Sequence, residues 1–114
     1  MDNTKVIQDI ELNIKQAQLL VDTGNALERL RSNRDFKMII SNGYFEEEAV
    51  RLVHLKADPS MESTERQLSI IKQMDAIGAL NQYFQTVFHR AALAEKAIAA
   101  DEETRDELLA EDIK

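Results

Sequence analysis

Three features of the sequence predict an all-α fold. The 114 residues contain three Gly and one Pro (Gly24, Gly43, Gly78 and Pro59), too few turn-formers for a many-stranded β fold or for glycine-rich phosphate loops. Apolar residues recur at alternating steps of three and four along two long stretches, the spacing of a helix that buries one stripe. Hydrophobic side chains make up 44% of the chain and charged ones 31%, which suits one soluble domain or at most two small ones. The expected architecture is an extended helical hairpin with a coiled-coil-like seam, its long helices at about 4–31 and 64–98, with a short helical insert between them.

Ile7, Ile10, Ile14, Ala17, Val21 and Gly24 form the seam of the first helix, with Thr4 as the candidate N-cap. Ala26, Leu27 and Leu30 resume helical spacing after Asp22-Thr23-Gly24-Asn25, so that tetrapeptide is expected to leave the helix continuous. Ser32 is the expected cap of a short helix carrying Phe36, Ile39 and Ile40, closed by Ser41-Asn42-Gly43. A further helix over about 44–57 should start with Glu46, Glu47 and Glu48 near its amide end and turn Phe45, Ala49, Leu52 and Val53 inward, with Glu47 and Arg51 paired on the wet side. Ala57-Asp58-Pro59-Ser60 is a linker, because proline disfavours helix for the residue before it. Ser63 or Thr64 then caps the second long helix, whose seam is Ile77, Leu80, Phe84, Val87, Ala91, Ala94 and Ile98. At 1.5 Å per residue that helix is roughly 50 Å long. It outruns a globule of this size, so the seam should pair with the first helix, with another copy, or with both.

Lys and Arg number 14 against 21 Asp and Glu, a formal charge of -7 with pI near 4.8. This argues against a protein whose main task is gripping nucleic acid. Residues 95–114 carry eight of the acids and three of the bases; residues 101–114 are expected to be an acidic extension of a 1–100 domain, partly helical or frayed and dispensable for folding. The polar start Met1-Asp2-Asn3-Thr4-Lys5 and the lack of any long apolar stretch lead us to expect neither a targeting segment nor a membrane partner.

No catalytic constellation emerges. The chain has no Cys, which excludes thiolate zinc sites and Cys nucleophiles. His54 and His89 belong to no ligand spacing, and Glu46, Glu47 and Glu48 point about 100° apart on a helix and so do not converge on an ion. The serines lack a nucleophile elbow and a nearby base. No cofactor, metal or catalytic residue is expected. Arg29, Arg31, Arg34 and Lys37, with Phe36 among them, are the one candidate contact for an anion or an acidic partner. Tyr44-Phe45 and Tyr83-Phe84 pair four of the six aromatics; Phe45 and Phe84 should anchor two helices together, and Tyr44 and Tyr83 are candidate aromatic contacts for a partner.

The run from Ala26-Leu27-Glu28-Arg29-Leu30 through Asn33-Arg34-Asp35-Phe36-Lys37 and Gly43-Tyr44-Phe45-Glu46-Glu47-Glu48-Ala49, then Gln73-Met74-Asp75-Ala76-Ile77 and the Tyr83-Phe84 pair, resembles small acidic helical proteins encoded by tailed bacteriophages, over about residues 26–107. The resemblance implies a virion-assembly or accessory protein without enzymatic activity, in the host cytoplasm or in the virion, and supplies no catalytic residues. The leading expectation is therefore a structural or assembly protein that forms homo-oligomers and contacts other phage or host proteins. The alternatives are a phage-encoded inhibitor that sequesters a host factor or defence ligand, and an accessory DNA-packaging subunit using the basic cluster.

Overall fold

The structure, a computed structural model, describes residues 3–113, and no strand occurs among them. In chain order it consists of α1 (Thr4–Arg31), α2 (Arg34–Phe36), a π-helix (Lys37–Glu48), α3 (Ala49–Ala57), a 3₁₀ turn (Pro59–Met61) and α4 (Thr64–Ile113). The chain is all-α, as its composition requires. It divides into two compact units, Met1–Ala26 with Thr86–Lys114, and Leu27–Gln85. The acidic end belongs to the first unit.

In that first unit the two long helices run antiparallel as a hairpin-like pair. At one end the Asn3 amide donates to Asp112 at 3.2 Å and, more weakly, to Glu111 at 3.5 Å. At the other, Gly24 is buried against Ala91. Asn3 to Gly24 and Asp112 to Ala91 are both intervals of 21 residues, three heptads, so the seams stay in phase between these anchors. In that register Ile7, Ile10, Ile14, Ala17 and Val21 stand opposite Leu108, Arg105, Asp101, Ile98 and Ala94; all are buried or half-buried. α4 runs beyond the end expected near residue 98: of the partly helical or frayed alternatives for residues 101–114 it takes the helical one, to Ile113, and its inward stripe continues through Asp101, Arg105 and Leu108. Thr4 lies inside the first turn of α1, and the Asn3 carbonyl accepts from the Ile7 N–H at 2.9 Å.

The second unit is built on Leu52, the one described side chain with no exposure at all, packed with Ile70 and Ile77. Half-buried Tyr44, Phe45, Ala49, Leu55, Met61 and Met74 close around these three. Its entry is a sharp break after α1. Asn33 takes an extended conformation and its side chain accepts from the Phe36 N–H at 3.0 Å, whereas the Ser32 hydroxyl donates back to the Glu28 carbonyl. The cap is thus Asn33 and not Ser32.

No stop occurs at Ser41-Asn42-Gly43. Gly43 has no positive φ, and the backbone stays helical from Arg34 to Ala57. The i→i+5 ladder of the π-helix explains this, because it turns more slowly than an α-helix. Inward residues recur at four and five: Phe36, Ile40 and Ser41, Tyr44 and Phe45, Glu48 and Ala49. A Cβ at Gly43 would come within 2.9 Å of the Met38 carbonyl oxygen, so the missing side chain suits this ladder. The slower turn also leaves Ile39 exposed, and Val53 of α3 faces solvent where an inward position was expected; Leu55 is the half-buried residue there.

The linker is held by short polar bonds. Extended Asp58 accepts from both the N–H and the hydroxyl of Ser60 at 2.9 Å, and Pro59 opens the 3₁₀ turn. Ser63 caps α4 by accepting from the Arg66 N–H at 3.2 Å. Gln67 donates to the carbonyls of Lys56 and Met61, satisfying acceptors that the end of α3 and the turn leave open.

Two glycines make a matched test of this packing. A Cβ at Gly24 would sit 2.5 Å from the Ala91 Cβ, while one at Gly78 meets nothing within 4 Å. Both positions are mid-helix, where alanine gains about 1 kcal/mol over glycine. At Gly24 the stiff Ala91 methyl forces the helices apart, at a cost of about 1–3 kcal/mol. Gly78→Ala should raise the melting temperature and Gly24→Ala lower it, followed by circular dichroism; a rise for both would show that α1 and α4 are not in close contact at Ala91.

Candidate functional site

The expected seam residues of α4 all face inward: Ile77, Val87 and Ala94 are buried, and Leu80, Phe84, Ala91 and Ile98 are half-buried. The seam is thus covered, wholly or in part, within the chain itself.

Phe84 is the hub of an aromatic cluster in the second unit. Its ring lies 5.8 Å from Phe45 in an edge-on arrangement and 6.0 Å from Phe36. Tyr44 continues the cluster from Phe45, and Tyr83 from Phe84. Phe45 and Phe84 therefore do anchor helix to helix, at centroid distances in the range where such pairs stabilise. Phe36 belongs with them, although its neighbours in sequence are the basic residues. Tyr44 is half-buried, whereas Tyr83 is 56% exposed, so the two candidate contact tyrosines differ in access.

The four basic residues all lie exposed on the second unit. Arg29 and Arg31 occupy the last turn of α1, where cations complement the helix dipole. Arg34 and Lys37 follow the break and line a shallow groove with Ser32, Met38, Asn42 and Glu47. Of the predicted set, the structure brings Arg34 and Lys37 to one depression, and adds Met38, which is 61% exposed. Neither cation makes an ion pair among the described residues.

The expected Glu47–Arg51 pair is replaced by Glu48–Arg51, at 2.6 Å with two parallel hydrogen bonds. This bond to Arg51 holds the Glu48 carboxyl below its ordinary value, as the Ser60 donors do for Asp58. Because no helix begins at residue 44, the three glutamates sit within a continuous helix and not at an amide end. Glu47 faces the groove instead.

His54 and His89 are exposed, and no group of three His, Cys, Asp or Glu among the described residues is placed to hold a metal ion. No helix is long and apolar enough to cross a membrane among the described residues. What the surface does offer is aliphatic. Leu12 and Leu19, one heptad apart on α1, sit at the position farthest from the seam and are exposed; Val50, Val53, Leu68 and Leu93 are exposed as well.

The fold is a helical scaffold that exposes apolar, aromatic and basic side chains. No protein-family model matches the chain, and no curated protein or solved structure matches it either.

Proposed function

We propose that this chain is a non-enzymatic structural or assembly protein of the tailed-bacteriophage kind, acting through helix-mediated contacts in an oligomer or particle. The observation that carries the reading is the placement of its large apolar side chains. Each unit buries few of them, while Leu12, Leu19, Met38, Ile39, Val50, Val53 and Tyr83 stand exposed. Scattered exposed aliphatics are ordinary. Leucines repeated by heptad on the back of an already paired helix are what a second contact layer requires. The resemblance carried by residues 26–107 supplies the viral setting.

Sedimentation of the full chain should show mass rising with concentration in the tens of micromolar. A compact monomer throughout that range would exclude self-association. For the particle role, mass spectrometry of purified virions should find the chain at a defined copy number; its absence there would favour the sequestering alternative.

A further inference from the structure

We propose that the groove of Arg34, Lys37 and Met38 receives the C-terminal stripe of α4 from a second copy of this chain. The inference rests on the self-associating reading and names its two surfaces. Glu102, Asp106, Leu109 and Ile113 follow one another at steps of four, three and four and therefore share one stripe of α4. All four are exposed, Ile113 at 86%. Among the described residues, Asp106 meets only the Arg105 Nε, at 3.4 Å, with its side chain 68% exposed.

Charge selects this occupant. Arg29, Arg31, Arg34 and Lys37 face one acid, Asp35, within residues 29–37, whereas residues 95–114 hold eight acids against three bases. Every copy thus carries an exposed cationic groove, whose Arg34 and Lys37 make no ion pair among the described residues, and an exposed acidic stripe. The groove pairs cations with exposed Met38, and the stripe pairs carboxylates with exposed Leu109 and Ile113, so polar and apolar parts have counterparts on both sides. Glu47 is the opposing charge in the groove; Glu102 and Asp106 therefore go to the Arg34 and Lys37 side. One surface gives and a different one receives, so the pairing either closes reciprocally as a two-fold dimer or propagates from copy to copy.

Sedimentation of charge-reversed full-length chains tests this. Wild type should associate, and added salt should weaken the association. Arg34→Glu with Lys37→Glu in one chain, and Glu102→Lys with Asp106→Lys in another, should each weaken it by about tenfold or more. Mixing the two variants should restore it, because each reversed surface then meets its complement. Circular dichroism should be unchanged, since all four positions are exposed. Association of the wild type that neither variant weakens, or that mixing fails to restore, would overturn this pairing and leave self-association standing. A wild type that stays monomeric would remove the reading beneath it.

Discussion

Leu52→Ala should lower the unfolding free energy by about 3 kcal/mol, within the range for truncating a leucine in a packed core. Leu52 is fully buried, and it touches both α4 residues of the second unit's core, Ile70 and Ile77. Little else there can compensate. The surrounding side chains are half-buried, so the cavity would open beneath a thin layer of Tyr44, Phe45, Met61 and Met74. Methionine can partly refill such a gap, which sets the expectation below the upper end of the range. The same truncation at Val53, one residue away and exposed, should change stability by less than about 0.5 kcal/mol. Urea denaturation followed by circular dichroism separates the two. Equal effects would mean that α3 is turned differently about its axis, with Val53 sharing the core.

The contrast between those neighbours marks where the fold was legible in the sequence and where it was not. Both long seams obey the α-helical period, and the seven residues from Ile77 to Ile98 face inward as their spacing requires. Between residues 37 and 48 the period lengthens, so a 3.6-residue template assigns Ile39 and Val53 to the core and places a stop at Gly43. The spacing of Phe36, Ile40, Phe45 and Ala49 at four and five was the available signal. At the carboxyl end Asp101 and Arg105 occupy seam positions and break the apolar pattern, although Leu108 resumes it. In the candidate site, sequence proximity put Arg29, Arg31, Arg34 and Lys37 together, but the break at Asn33 decides that only the last two line a groove. Phe36 joins the aromatic rings because the slow turn of the π-helix brings it round to Phe84.

Ending the chain at Ala100 should destabilise the first unit strongly, the reverse of what the acid-rich composition of the tail suggests. Two groups of effects oppose each other. Removing the tail relieves repulsion among Glu102, Glu103, Asp106, Glu107, Glu111 and Asp112, and takes acids away from a helix end with no basic residue in its last turn, where the dipole disfavours them. These charges are exposed and screened, so each is worth a few tenths of a kcal/mol at physiological salt. Against that, the truncation deletes half-buried Leu108 and the partners of Asn3, and it strips Ile7, Ile10 and Ile14 of the residues opposite them in the register. Four partly buried aliphatic side chains at about 1 kcal/mol each amount to roughly 3–4 kcal/mol. Burial wins. The melting temperature should fall by more than about 10 °C for a domain of this size, while neutralising Glu102, Glu103, Asp106 and Glu107 to Gln in the full chain should leave it unchanged or slightly raised. If truncation cost no more than neutralisation, the hairpin would be held by its Ala17–Gly24 half alone, and the residues beyond Ala100 would serve only as a charged surface.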